Sequence, residues 1–290
     1  MKSWIVVATF FCLWLSTSFP EVLQSFMAYG LILTFGVLHG ANDINLIVKS
    51  KSTNTNNQSI KRVLLYYILT VVTILVIFFL YPPIALLLFI VLSGYHFGEQ
   101  HFENKLSEAD KFEKLLYLSY GLTILFMIFL INFNEVNEII NEISNMAFSI
   151  EIYRTGLIVF GALFLLSLTY LWYTKKLKVK IYEELFYLLF FYVIFNTASL
   201  IWGFCIYFIL WHSIPSLYDQ MNYLYGDANK STFLNYLRSS WLYWLISVVG
   251  LGILLLVFGE NHQFFISILL YFLAAITFPH VIVMSRLKHH

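Results

Sequence analysis

Four of the chain's eight histidines fall inside strongly apolar stretches: His39, His96, His212 and His280. Ionisable side chains in such surroundings are rare and point to function by default. Neutral imidazole is the commonest protein ligand for transition metals. A metal also relieves the cost of burying several polar rings among apolar groups. One such histidine alone would read as a satisfied packing residue; four argue for a shared metal site. Asp43 follows His39 by four residues and Glu99 follows His96 by three, each on the same helical face as its histidine. A carboxylate there can accept the second imidazole N–H and fix the tautomer, or it can simply face water at the membrane edge. His101, five residues beyond His96, is either a supporting group or an interfacial residue. Gly36 and Gly40 bracket His39, and Gly94 and Gly98 bracket His96; small residues let a neighbouring helix approach closely. Pro215 follows His212 and Pro279 precedes His280, and each can kink or end a helix. His262, His289 and His290 read as solvated. Cys12 and Cys205 lack CxxC spacing and read as small buried apolar residues.

The elements that must carry these residues are membrane helices. Of 290 residues, 60% are apolar and 11% charged, and the mean hydropathy is +0.78. An ordinary soluble domain is about a quarter charged, so a soluble enzyme and a disordered chain are both excluded. A formal net charge of +1 gives no field for nucleic acid. A span needs roughly 20 apolar residues. Ten stretches qualify, approximately 3–19, 22–47, 63–81, 83–99, 115–133, 153–173, 183–199, 201–217, 239–258 and 264–285. The expected fold is an all-α polytopic bundle forming one integral membrane domain over 1–290. Pro82–Pro83 and Asn196-Thr197-Ala198 mark tight breaks between spans. Residues 1–20 read as a retained helix, with a signal peptide as the alternative. Ten spans place every basic residue except Arg154 on one side. The positive-inside rule makes that side cytoplasmic, with both termini there, in the plasma membrane. Residues 50–62 then form a flexible cytoplasmic loop. The four buried histidines fall in the inner halves of the second, fourth, eighth and tenth spans, at similar depth.

Four segments together, His39-Gly40-Ala41-Asn42-Asp43, Tyr95-His96-Phe97-Gly98-Glu99, Trp211-His212-Ser213 and Pro279-His280, resemble the Brp/Blh family of bacterial and archaeal β-carotene 15,15'-dioxygenases. Each motif is weak alone, but the four occur in order across nearly the whole chain. The resemblance implies non-haem Fe(2+) held by histidines. It also implies cleavage of the central double bond of β-carotene with O2 to give two all-trans-retinals, which pass to an opsin-type proton pump. Carried over by position, His39, His96 and His212 match the family's iron ligands, and His280 matches its late Pro-His. The family often has a second histidine four residues after the one matched by His212; here that place is Ser216. Either His280 completes a set of four, or iron keeps three histidines and an open position, or activity has been lost. Asp43, Glu99, His101 and Ser216 are the candidate supporting groups around the metal.

Several other classes compete. A b-type cytochrome needs axial pairs at two depths, whereas these four share one. A di-iron desaturase uses clustered histidine boxes, and no HxxxH or HxxHH occurs. A transporter with a His/Asp proton relay and a non-catalytic carotenoid or retinal binder remain as alternatives. Neither would make an aldehyde. A polyene of about forty carbons partitions into the bilayer, so a membrane-embedded apolar container lined by Phe, Tyr and Leu suits it.

Overall fold

A computed structural model of the chain describes residues 2–50, 57–107, 111–258 and 265–287. His262, His289 and His290 lie outside the described residues, as does 51–56 of the expected polar loop. All the named elements are helices, as the composition requires: in a bilayer the backbone must satisfy its own hydrogen bonds. Eight helical stretches are long and apolar enough to cross a membrane among the described residues. The other two expected spans are shorter. The helix over Lys2–Ser18 (α1) has 17 residues, and so has Ile181–Thr197 (α10), which opens on Glu183 and Glu184. The chain divides into two compact units.

The first unit comprises residues 1–31, 90–141 and 145–212. It holds α1 and Glu21–Leu31 (α2), and Pro82–Phe102 (α6) from residue 90 onward. Glu113–Ile131 (α7), Ile150–Tyr173 (α9), α10 and Leu200–Ile206 (α11) complete its apolar helices. The expected break after Thr197 is real and has a local cause. Asn196 and Thr197 donate back to the carbonyls of Tyr192 and Val193, and Ala198 is extended. The backbone N–H of Ser199 then donates to Gln24 Oε1 at 3.3 Å. Gln24 Nε2 donates to the carbonyls of Ser16 and Phe19. One buried amide thus serves the end of α1 and the start of α11. Trp202 and Trp211 reach α1 as well, donating to the Cys12 carbonyl and to Thr9 Oγ1.

Glycines set the spacing of α6 and α7. A methyl group on Gly121 would lie 1.7 Å from the Gly94 carbonyl oxygen, and one on Gly98 would lie 1.9 Å from that of Tyr117. The two backbones therefore touch along Gly94, Gly98 and Gly121, as the bracketing glycines of His96 suggest.

The second unit comprises residues 32–89, 142–144 and 213–290. Its helices include Val37–Gly40 (α3), Asp43–Ser50 (α4), Asn57–Leu80 (α5), Ile214–Tyr225 (α12), Lys230–Phe258 (α13) and Phe265–Leu287 (α14). The helix α14 packs on α4 and α5, with Leu46, Val283 and Met284 forming one small core. Leu38, Leu217, Met221 and Tyr236 form another. The outward faces of α5 and α13 leave Val72, Val76, Phe79, Ile246 and Leu256 exposed, which is the lipid-facing pattern of spanning helices. A 12-residue helix, Phe133–Ser144 (α8), was not expected: its Val136, Ile140 and Ile143 are buried beneath a glutamate-rich outer face.

The glycine contact yields a prediction. Gly121→Ala forces backbone against backbone and should cost about 1–3 kcal/mol, the usual range for overpacking. Gly161→Ala, where nothing lies within 4 Å of the added methyl, should be neutral or slightly stabilising. Thermal unfolding of both variants in detergent micelles checks the difference.

Candidate functional site

In the first unit, His96 on α6 and His212 form an edge-to-face pair with ring centroids 4.8 Å apart. His212 lies within a π-helical turn, Tyr207–Ser213, that follows α11. Such turns wind i to i+5 and are frequent at functional sites. The ring of His212 is sandwiched by apolar groups: Phe208 stacks on it at 5.7 Å and Phe97 meets it edge-on at 4.8 Å. Both imidazoles are buried. Glu99 is buried with them, its Oε2 3.9 Å from His96 Nδ1. That places the carboxylate beside the ring but beyond direct hydrogen-bond range.

In the second unit, His39 and His280 form an edge-to-face pair with centroids 4.7 Å apart. A second π-helical turn, Ile32–Gly36, immediately precedes the short α3 that carries His39. The helix breaks at Ala41–Asn42 before α4 begins at Asp43. This break corrects one expectation. The sequence spacing offers Asp43 either as a partner of His39 one turn away or as a water-facing carboxylate at the membrane edge, and the structure shows neither. Asp43 Oδ1 instead lies 2.8 Å from Nδ1 of His280, and its Oδ2 accepts from the Tyr67 hydroxyl at 3.2 Å. Pro279, inside α14, removes the backbone donor just before His280. Gly40 sits directly against the His280 ring, which a methyl group there would touch at 3.8 Å.

A polar network supports the His39 segment from behind. The Tyr236 hydroxyl donates to Gln220 Oε1 at 2.7 Å and lies 3.3 Å from the carbonyls of Leu38 and His39. Gln220 Nε2 in turn donates to Ser216 Oγ at 3.2 Å. Asn42 donates to the Tyr236 carbonyl and accepts from Asn45 and from Ser239. Ser216 thus stands as a fully buried hydroxyl within this network. Sequence reading missed Gln220 and Tyr236, because neither is ionisable under ordinary conditions nor placed by a motif.

His101 is engaged elsewhere in the first unit. Its Nε2 is 2.7 Å from Glu184 Oε2 and 2.5 Å from Lys105 Nζ, and its ring stacks on Tyr120 at 4.5 Å. Lys105 also donates to both oxygens of Glu184, at 2.8 and 2.9 Å. Glu184 is fully buried, so this cluster neutralises a carboxylate sunk into the helix packing. The one-turn spacing of His101 and Lys105 is its only trace in the sequence.

The donors fit a ferrous ion in kind: imidazole nitrogens suit iron among the transition metals. With Nδ1 of His280 committed to Asp43, Nε2 is the nitrogen that residue can offer. Each unit taken by itself supplies two of these four imidazoles. Among the described residues, no three His, Cys, Asp or Glu side chains gather into a metal-holding group.

A family model described as Beta-carotene 15,15'-dioxygenase matches residues 30–288, a stretch that includes all four buried histidines. No curated protein and no solved structure matches the chain.

The buried ion cluster generates a test. Lys105→Met leaves Glu184 without its cation and should destabilise the first unit by about 3–5 kcal/mol. The double variant Lys105→Met/Glu184→Leu should recover most of that loss. Chemical unfolding of the purified protein, single against double variant, reads both.

Proposed function

This chain belongs to the beta-carotene 15,15'-dioxygenase family, and from that premise we propose that it cleaves the central double bond of β-carotene with O2. The products are two molecules of all-trans-retinal. The single observation supporting this most strongly is the match over residues 30–288, joined to the burial of His39, His96, His212 and His280 within it. The reaction balances without a further reductant. One carbon–carbon double bond is lost, two carbon–oxygen double bonds form, and each aldehyde takes one atom of the O2.

The cofactor proposed is a non-haem ferrous ion. When bound, iron supplies the dioxygen activation that an apolar polyene cannot provide for itself. The proposed imidazole ligands are His39, His96 and His212, which match the family by position, with His280 as the fourth. The side chains around them have separable tasks. Asp43 holds His280 through Nδ1, so Nε2 is the nitrogen that would meet the metal. Phe97 and Phe208 cover His212 with aromatic faces, excluding water and offering the polyene an apolar surface. Ser216 spends its hydroxyl on Gln220 and adds no imidazole to the set. No step requires an acid–base pair, so the mechanism asks the protein for burial and orientation more than for proton transfer. The basic residues flanking the spans favour an orientation with both termini in the cytoplasm. An opsin-type pump is the consumer of retinal that the sequence resemblance implies.

The decisive test is product analysis in a β-carotene-producing bacterial host, with iron measured on the purified protein. The native chain should yield retinal. His39→Ala, His96→Ala and His212→Ala should each lose more than the roughly 10–100-fold that removal of a supporting partner costs, together with bound iron. Asp43→Asn should lose activity only within that range. Full activity in all three alanine variants would remove the histidine site. A folded, iron-loaded native chain that leaves β-carotene intact would exclude this substrate.

A further inference from the structure

The carboxylate of Asp43 is fully buried and divides its two oxygens between two helices. Oδ1 faces Nδ1 of His280 on α14 at 2.8 Å; Oδ2 faces the hydroxyl of Tyr67 on α5 at 3.2 Å. An ionised carboxylate only accepts hydrogen bonds, so both partner atoms must carry protons. The Tyr67 hydroxyl has one. For His280 the requirement puts a proton on Nδ1, so that a neutral ring offers its lone pair at Nε2.

We propose that Tyr67 is a positioning residue that orients His280 through Asp43. Three constraints meet at the carboxylate. The backbone of Asp43 follows Asn42, which is itself pinned to the Tyr236 carbonyl and to Ser239. The imidazole is seated against Gly40, where an added methyl would meet it in ordinary van der Waals contact at 3.8 Å. What remains is rotation about the Cβ–Cγ bond of Asp43. A carboxylate held by one oxygen alone can swing about that bond and release Nδ1; the second hold, from Tyr67, stops the swing. The ring of Tyr67 also forms a wall of a cleft of about 420 Å³, beside Val63, Thr70 and Pro279. The hydroxyl that steadies the pair is therefore carried by a ring that an apolar occupant of the cleft would touch.

Its importance for the reaction rests on the proposal that His280 is an iron ligand; the orientation itself does not. The test separates the two. Iron-free protein labelled with 15N-histidine is reconstituted in lipid bilayers, and the His280 signal is assigned by its loss in His280→Ala. The native protein should show a protonated Nδ1 and a bare Nε2. Tyr67→Phe, which keeps the ring and its packing, should give a mixture of tautomers in a protein that still folds, its thermal midpoint lowered by no more than one lost hydrogen bond explains. Asp43→Asn should disturb the same signal. On adding ferrous iron, Tyr67→Phe should bind about tenfold more weakly than the native protein. A native His280 protonated on Nε2, or a Tyr67→Phe signal identical to the native one, would overturn the positioning role. The expected tautomer in a native protein that takes up no iron would support the orientation and overturn the iron reading instead.

Discussion

An imidazole removed from water must still satisfy two nitrogens, and an unmet polar group in an apolar interior costs several kcal/mol. Four such rings within apolar helices therefore dictate much of what surrounds them. The second unit meets the demand with Asp43, which occurs at a helix break rather than within a helix. There its carboxylate can turn toward α14 instead of back along its own strand of residues. The first unit is built differently: Phe97 and Phe208 pack against His212, and the buried Glu99 stands 3.9 Å from His96 Nδ1. A carboxylate bonded to an imidazole marks the second unit, and aromatic rings packed on one mark the first.

Close helix packing is what makes such enclosure possible. In lipid, helices gain little from the hydrophobic effect and associate through packing and polar contacts. The bare backbones of α6 and α7 touch at Gly94, Gly98 and Gly121. His96 lies between the first two of these, so the crossing fixes the helix at the point where the histidine leaves it. Lys105, Glu184 and His101 add a polar clasp one to two turns further on. The clasp is costly to bury, and its members are each other's compensation.

Much of this was written legibly in the sequence. The apolar runs gave the all-helical membrane class, Pro82–Pro83 and Asn196-Thr197-Ala198 marked real helix boundaries, and the glycines beside His96 pointed to a close helix crossing. Other features were not legible, for physical reasons. The helix α8 carries three glutamates in twelve residues, which mask a short buried stripe. Asp43 lies four residues after His39, the spacing of a helical pair, yet the intervening Ala41–Asn42 turn redirects it. Which histidine it serves depends on where α14 lies, and no local pattern encodes that. Gln24, Gln220 and Tyr236 matter because of carbonyls that distant segments bring to them. The π-helical turns leave no mark in hydropathy at all, since their side chains are as apolar as their neighbours.

Those turns carry a consequence of their own. A π-helical turn holds its shape by accommodating an extra residue in the helical winding. Removing any one residue from Tyr207–Ser213 would return the segment to ordinary α-helical winding. The extra residue is absorbed within the turn itself, so the side chains inside it are the ones that would lose their facing. His212 lies inside that stretch. Here the chain's length, counted to the single residue, is as binding as its chemistry. Exchange of one apolar side chain for another in this stretch is a small event, whereas a one-residue deletion changes the facing of His212 itself.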